Sequence, residues 1–202
     1  MSPKLLLTSA VVAGTIFWSL PKNASYQALR VNDGDTFETA EKQRIRLASA
    51  DAPELGLCGS KESKSALEKF IINKPLYIKV LYRDQYNRLI SMVYTQNEFI
   101  NGKMTEEGYA YYRNRDPGMT NLQKISDEAK SHKRGIFSTK CTQEKNPLQP
   151  KCIIKGNNRV SNPKDEKYYV TPGCREYSVV DVQLYPGDQW FCSESETQNS
   201  FK

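Results

Sequence analysis

Residues 31–54 read VNDGDTFETAEKQRIRLASADAPE and contain two segments in which apolar and polar residues alternate. Glu41-Lys42 separates the segments, and this pattern predicts two strands joined by a hairpin. Within 20 residues the stretch carries three carboxylates and one arginine of interest, namely Asp35, Arg46, Asp51 and Glu54. Carboxylate oxygens are ligands that hard metal ions prefer, so the set favours a metal site that acts on phosphodiesters.

The overall composition favours an anionic partner. The chain has 202 residues, a formal net charge of +6 and a pI of about 9.0. A basic surface points to nucleic acid first and to an acidic membrane second. The single histidine, His132, excludes a two-histidine zinc site, a histidine-pair ribonuclease and a HEXXH protease. His132 lies in a basic run at the end of a predicted helix, where a surface role is expected.

Residues 1–22 have the pattern of an export segment. Lys4 is followed by an uncharged run from Leu5 to Leu20. This run is long for the apolar part of a signal peptide and short for a membrane span, which needs about 20 residues. Lys22 lies where the cleavage signal requires a small residue, so a cleaved signal peptide and a retained N-terminal membrane anchor both stay open. Either interpretation places the protein outside the cytoplasm: periplasmic, extracellular or membrane-anchored and facing outward.

The next elements follow from hydrophobic periodicity. Apolar residues at helical spacing predict a helix over residues 60–72, capped by Ser60 or Ser63. Two alternating segments, Leu76–Tyr82 and Leu89–Tyr94, predict a hairpin with Arg88 at its mouth. A short helix is expected before Gly108, an extended segment at residues 109–112, and a helix over residues 120–133 that begins with a capping box of Thr120 and Gln123.

Four motifs in order resemble the thermonuclease family, the staphylococcal-nuclease-like enzymes. They are Asp33-Gly34-Asp35-Thr36, Arg46-Leu47, Asp51-Ala52-Pro53-Glu54 and Tyr86-Asn87-Arg88. The resemblance covers about residues 25–140 and implies an α+β fold, a five-stranded OB-type β-barrel with about three packed helices. A barrel of this kind is a common scaffold for binding nucleic acids.

The resemblance also implies a calcium site. Asp35 and Asp51 would supply carboxylate oxygens, and the backbone carbonyl of Ala52 would complete the protein's share of the ligands. The family often has threonine at the Ala52 position, but only its carbonyl is used. Waters and a phosphate oxygen would fill the remaining positions.

The same resemblance assigns roles to three further side chains. Glu54 is the candidate general base, or else it orders the attacking water and the calcium ligands. Arg46 and Arg88 are expected to clamp the scissile phosphate, because planar guanidinium groups match the equatorial oxygens with paired hydrogen bonds. Asn87 replaces the glycine usual before this arginine, and asparagine tolerates left-handed backbone angles better than most residues.

The implied substrates are DNA and RNA, preferably single-stranded, cut to leave 3′-phosphate ends. Tyr86, Tyr111 and Tyr112, with Tyr109, are candidates for stacking on unpaired bases. Half-buried packing is the more ordinary role for a tyrosine on a strand.

Residues 141–198 differ in composition and are predicted to form a small, disulfide-stapled, Cys-rich C-terminal module. An exported chain with clustered cysteines favours disulfides, and no CxxC pair is present. The simplest pairing joins Cys141 with Cys152 and Cys174 with Cys192, leaving Cys58 free. A pairing of Cys58 with Cys141 stays open. The module resembles one found on bacterial family members, and three roles are open for it: holding substrate, binding the envelope, or adding stability.

The leading hypothesis is an exported, calcium-dependent nuclease with little sequence specificity. The alternative is a catalytically inactive OB module that binds nucleic acid or protein at the cell envelope. A third hypothesis makes the tail the active part of an envelope interaction factor. Inactive copies usually lose an arginine or a metal carboxylate, and this chain keeps all of these side chains, which favours the enzyme. No protein partner follows from the sequence.

Overall fold

The computed structural model describes residues 25–116, 118–158 and 167–200. The export segment predicted at residues 1–22 lies outside them. No helix in the described part of the chain has both the length and the apolarity needed to cross a membrane.

The strands are β1 (Ser25–Tyr26), β2 (Ala28–Val31), β3 (Thr36–Thr39), β4 (Arg44–Leu47), β5 (Ala50–Asp51), β6 (Leu76–Arg83), β7 (Leu89–Tyr94), β8 (Tyr111–Tyr112), β9 (Thr142–Gln143), β10 (Ile154–Asn157), β11 (Tyr168–Val170), β12 (Val182–Gln183) and β13 (Gln189–Phe191). The helices are α1 (Ser60–Ile71), α2 (Ile100–Glu106), α3 (Asn121–Ser131) and α4 (Glu194–Ser200), with a 3-10 turn at Gly135–Phe137.

The main sheet is barrel-like and has six strands in the order β1-β6-β7-β4-β3-β2. Its neighbouring strands are antiparallel except for the parallel pair β4 and β7. The extra strand relative to the expected five is β1, a two-residue segment that pairs with β6. The predicted α+β fold of OB type, with a disulfide-stapled C-terminal part, is confirmed.

Strand alternation determines which side chains enter the core. Ile45 and Leu47 of β4 are fully buried, whereas Arg44 and Arg46 point to the other face of the strand. Phe37 of β3 pairs with Ile45 and is also fully buried. The core therefore lies on one face of β3 and β4, and Arg46 lies on the opposite face.

A buried asparagine ties helix α2 to the sheet. The Asn101 side-chain amide donates to the carbonyls of Ala48 (3.0 Å) and Ser91 (3.1 Å). Its oxygen accepts a hydrogen bond of 2.9 Å from the backbone N–H of Val93. Since a buried polar group must be hydrogen-bonded, this arrangement fixes α2 against β7 and against the residue that follows β4.

The predicted helices are present, but their predicted caps are wrong. Helix α1 follows Gly59, which has a φ of 85° and makes no side-chain cap. Ser60 and Ser63 are instead buried inside the first turns. Helix α3 also has no side-chain cap, because Thr120 already has helical backbone angles. In each place one early N–H group donates to a carbonyl of the entering turn, Ser60 to Leu57 and Leu122 to Met119.

The predicted disulfide pairing is wrong, and the alternative of Cys58 with Cys141 is the one observed. The bonds are Cys58–Cys141 and Cys152–Cys192, and Cys174 is the free cysteine. Strands β10 and β13 run antiparallel, which brings the residues just outside them, Cys152 and Cys192, together. Cys141 follows the 3-10 turn, whose Ile136 packs against Gly59 beside Cys58.

The C-terminal part packs directly against the barrel part. Its strands form a sheet in the order β11-β10-β13 and a pair of β9 with β12. Tyr185, after β12, places its ring 5.6 Å from that of Phe137 and 5.3 Å from that of Tyr111. The domain boundary predicted at residues 140–141 stays a prediction, and a small buried cluster that includes Cys141 and Tyr185 spans it.

Candidate active site

A cleft of about 490 Å³ brings together most of the residues singled out in the sequence. Its lining includes Arg46, Asp51, Ala52, Glu54 and Arg88. Arg46 and Asp51 lie on β4 and β5, Ala52 and Glu54 follow β5, and Arg88 lies in the turn just before β7. A more open groove of about 1000 Å³ between β2 and α1 contains none of them.

Asp35 does not line the cleft but is buried beside Arg46, which does, and the Asp-Gly-Asp turn before β3 places it there. The Asp33 carboxylate accepts hydrogen bonds from the backbone N–H groups of Asp35 (3.1 Å) and Thr36 (2.8 Å). Gly34 leaves no room for a side chain: a Cβ there would lie 2.5 Å from the Cβ of Ala52. This close approach allows the Ala52 N–H to donate to Asp35 Oδ2 at 3.0 Å.

Arg46 joins the two predicted metal carboxylates. Its Nη1 lies 2.6 Å from Asp35 Oδ1 and its Nη2 lies 2.8 Å from Asp51 Oδ1. Burial raises the pKa of Asp35, and Arg46 opposes that rise. Burial alone would lower the pKa of Arg46, but the two carboxylates outweigh it and raise that pKa. One guanidinium therefore serves two carboxylates in a largely water-excluded position.

The chemistry of this donor set fits a hard divalent cation. Asp35 and Asp51 are only 3% and 4% exposed, and both offer carboxylate oxygens beside the backbone of Ala52. A buried carboxylate such as Asp35 gains from any additional positive charge nearby. Among the described residues, no group of three or more His, Cys, Asp or Glu side chains is placed to hold a metal ion. The residues that could hold a metal ion here are Asp35, Asp51 and the backbone carbonyl of Ala52.

Arg88 is held in place by the turn between β6 and β7. Asp84 Oδ1 accepts the backbone N–H groups of Tyr86 (2.9 Å) and Arg88 (2.8 Å), while Oδ2 accepts Arg88 Nε at 2.8 Å. Asn87 has a φ of 62°, so the left-handed turn that the sequence allowed is present. The Arg88 guanidinium lies 5.4 Å from the centre of the Tyr86 ring.

Glu54 follows Pro53, where strand pairing has ended, and its side chain is exposed at the cleft. In the described part of the chain its carboxylate forms no ion pair, unlike those of Asp35 and Asp51. An exposed carboxylate that no arginine engages has room for a water molecule beside it in the cleft.

The four candidate tyrosines divide into two groups. Tyr86 is 63% exposed, and both Tyr86 and Tyr111 line the cleft. Tyr112 lies on the other face of β8, packs against the main core, and donates to Asn114. Tyr109 also packs in the core. The substrate-binding role predicted for Tyr112 is therefore not supported by its position, because adjacent residues of a strand point in opposite directions.

The cleft also contains residues that sequence reasoning missed. Arg113 and Arg115 approach Asp51 Oδ2 at 2.9 Å and 3.6 Å. Arg113 and Arg115 alternate with Tyr111 along the chain, and this spacing predicts that the three side chains point to the same side. Tyr185 and Pro186 line the same cleft from the C-terminal part. Nothing local in the sequence indicates this, since it depends on how two distant segments pack.

Comparison with known proteins agrees with this geometry. Residues 44–139 match the family described as staphylococcal nuclease homologue. A protein of Escherichia coli O157:H7 named an uncharacterized endonuclease is 32% identical over 119 residues, covering 55% of this chain and 76% of its own length. A Haemophilus influenzae protein with the same name is 29% identical over 154 residues, covering 73% of this chain and 83% of its own length.

Plant relatives are similar over a shorter share of their length. A probable staphylococcal-like nuclease of rice, CAN2, is 32% identical over 116 residues, covering 57% of this chain and 31% of the rice protein. The chain spans about a third of the length of the plant relatives it matches.

Fold and cleft thus define an OB-type protein of the nuclease class. The chain belongs to the family of staphylococcal nuclease homologues, the thermonuclease family. Asp35 precedes the matched residues 44–139. It forms an ion pair with Arg46, which lies within them.

Proposed function

We propose that the protein is an exported, calcium-dependent endonuclease that hydrolyses phosphodiester bonds of DNA and RNA with little sequence specificity and leaves 3′-phosphate ends. The observation that carries the proposal is the single cleft in which Arg46 binds Asp35 and Asp51 while Arg88 and Glu54 line the same space. The chain belongs to a family of nucleases, and phosphodiester hydrolysis gives each of these side chains a role.

Asp35, Asp51 and the Ala52 carbonyl would hold the calcium ion, which would supply positive charge to offset the negative charge that develops on the phosphate. Glu54 is the exposed carboxylate that would accept the proton of the attacking water. It is the cleft carboxylate that no arginine engages in the described chain.

Arg46 and Arg88 would stabilise the negative charge that gathers on the phosphate oxygens. Each is held by a carboxylate, Arg46 by Asp35 and Asp51 and Arg88 by Asp84, which fixes its orientation before substrate arrives. Donors that are already oriented lose little in reorganisation when the charge develops.

Single-stranded nucleic acid suits this cleft better than a small ligand. Tyr86 offers an exposed ring beside Arg88, a surface on which an unpaired base can stack. Phosphate and aromatic contacts carry little base information, so DNA and RNA of many sequences would be accepted. The net charge of +6 favours the approach of such a polyanion.

The test is digestion of single-stranded DNA by the full chain, with calcium and with excess chelator, for the unchanged protein and for Glu54→Gln. Glu41→Gln is the matched control, because Glu41 is an exposed glutamate in the turn before β4. We expect calcium-dependent cleavage that Glu54→Gln lowers at least 100-fold and Glu41→Gln leaves unchanged.

Cleavage that persists in Glu54→Gln would keep the nuclease and remove Glu54 as the base. Binding without cleavage under every condition would favour the inactive OB module instead. Product ends are checked with a phosphatase that removes 3′-phosphates, which should alter the mobility of the fragments.

A further inference from the structure

Arg113 and Arg115 form a cationic pair at one edge of the cleft, and the roles proposed above do not use them. Both approach the same oxygen of Asp51, at 2.9 Å and 3.6 Å. The Arg113 side chain is 11% exposed and that of Arg115 is 48% exposed. One of the pair is therefore buried beside the site, and the other reaches towards solvent.

The backbone that carries this pair is firmly fixed. The N–H of Arg113 donates to the carbonyl of Ser49 at 3.1 Å. Asp116, only 6% exposed, accepts hydrogen bonds from the backbone N–H and the hydroxyl of Ser49 and from the hydroxyl of Tyr82. Anchors on both sides of Arg115 hold the pair at the cleft in advance of any ligand.

The pair supplies more positive charge than Asp51 can balance. Three guanidinium groups, those of Arg46, Arg113 and Arg115, contact this one carboxylate. Arg44 lines the same cleft. Of the five N–H donors on the Arg113 guanidinium, one bonds Asp51. The remaining charge and donors suit an anion that accepts several hydrogen bonds, such as a phosphate.

The position of the pair indicates which phosphate it binds. Arg46 Nη2 and Arg113 Nη1 bond opposite oxygens of Asp51. They are therefore less than about 8 Å apart, because two ordinary hydrogen bonds and one carboxylate separate them. This is comparable with the step between neighbouring phosphates of a single strand. If Arg46 contacts the scissile phosphate, Arg113 and Arg115 are within reach of the phosphate next to it.

Building on the proposed function, we infer that Arg113 and Arg115 form a second phosphate subsite, which binds the phosphate next to the scissile one in single-stranded nucleic acid. The enzyme then acts well only on strands with at least two internucleotide phosphates. A purely structural role, in which the pair only balances Asp51, would affect all substrates alike.

The experiment compares a thymidine dinucleotide, which has one internucleotide phosphate, with a thymidine tetranucleotide, which has three. The measured quantity is kcat/KM on the tetranucleotide divided by kcat/KM on the dinucleotide. We expect Arg115→Gln to lower this ratio about tenfold, through KM of the tetranucleotide, and Arg115→Lys to restore part of it. Arg30→Gln is the matched control, because Arg30 is an exposed arginine, paired with Glu38, that does not line the cleft.

A second readout is tetranucleotide binding by Glu54→Gln as salt is raised. Adding Arg115→Gln should reduce the slope of log affinity against log salt by about 0.7, the value for one lost phosphate contact on a single strand. An unchanged ratio in Arg115→Gln, with an active parent protein, would overturn this inference alone. A parent protein that cleaves neither substrate would overturn the proposed function and the subsite together.

Discussion

Gly34 illustrates how one residue positions the candidate site. A side chain there would place its Cβ 2.5 Å from the Cβ of Ala52 and 2.6 Å from the Cβ of Ser63. The absence of a Cβ therefore lets the turn bearing Asp35 approach β5 and α1 at once. The glycine is required here by space and not by an unusual backbone angle.

Replacing Gly34 with alanine should damage both stability and activity. The added methyl must push Ala52 or α1 away, at a cost of about 1–3 kcal/mol. The same movement separates Asp35 from the Ala52 N–H, so kcat/KM on single-stranded DNA should fall at least tenfold. Gly173→Ala is the control, because a Cβ at that glycine meets nothing within 4 Å. If Gly34→Ala and Gly173→Ala had the same urea unfolding midpoint, the steric argument would be wrong.

Local signals in the sequence explain which single residues could be predicted. Short motifs carry Asp35, Arg46, Asp51, Glu54 and Arg88, so a local pattern singles them out. The structure brings them close together, and their roles stay predictions. The φ of 62° at Asn87 agrees with the glycine usual at this position in the family and with the tolerance of asparagine for left-handed angles. Tyr112 packs against the core while Tyr111 lines the cleft, as strand alternation requires of adjacent residues.

At the scale of an element, the β6–β7 hairpin presents Arg88 to the cleft. Asp84 accepts three hydrogen bonds within the turn, two from backbone N–H groups and one from Arg88 Nε. Partial burial would raise the pKa of Asp84, but the backbone and side-chain hydrogen bonds from Arg88 outweigh it and hold that pKa below its ordinary value of 3.8. The turn is thus built around an ionised carboxylate.

Asp84→Asn should loosen Arg88 and lower kcat/KM about tenfold, with a loss of about 1–2 kcal/mol in the free energy of unfolding. Because the folded-state pKa is depressed, the stabilisation by Asp84 is fully present above pH 3.8 and is lost as pH falls through the lower folded-state value. The stability difference between the parent and Asp84→Asn should therefore be constant near neutrality and shrink below about pH 4.

Asp127→Asn, an exposed aspartate of α3, should change neither quantity. The measurement is chemical unfolding followed at a series of pH values, together with kinetics at neutral pH. A stability difference that grows as pH falls would mean that Asp84 is not held ionised by Arg88.

Helices and strands depend on local sequence, whereas disulfides depend on how distant segments pack. Helix α1 and the β6–β7 hairpin were predicted almost to their ends because periodicity is a local property. The predicted disulfide pairing is wrong because Cys58 and Cys141 are 83 residues apart in the sequence. They meet only because the 3-10 turn packs beside α1. Spacing in the sequence favours bonds between nearby cysteines. The antiparallel pairing of β10 with β13 instead brings Cys152 to Cys192.

In the whole molecule, the C-terminal part contributes a wall of the candidate active site. Tyr185 and Pro186 line the cleft together with the barrel residues. The loop that carries them is anchored by Asp188, which accepts the backbone N–H groups of Asn158 (2.8 Å) and Gln183 (2.9 Å). Of the roles left open for the C-terminal part, these contacts favour a role in holding substrate.

Tyr185→Ala is the sharpest test of that wall. The ring of Tyr185 is 5% exposed and packs on Phe137 and Tyr111, so its removal should cost about 3–5 kcal/mol of stability and free Tyr111 to move. Tyr185→Phe keeps the ring and loses only the hydroxyl that donates to Gln183, and it should retain most of the stability and activity.

Kinetics are measured at a temperature where every variant is folded by circular dichroism. If this wall contacts substrate away from the scissile phosphate, KM for single-stranded DNA should rise at least fivefold in Tyr185→Ala, with a smaller change in kcat. The control is Tyr169→Ala, a tyrosine of the same C-terminal part that is 36% exposed and does not line the cleft. If folded Tyr185→Ala kept the parent KM, the C-terminal part would support the barrel without binding substrate. The packing of Tyr185 on Phe137 and Tyr111 would then serve stability alone.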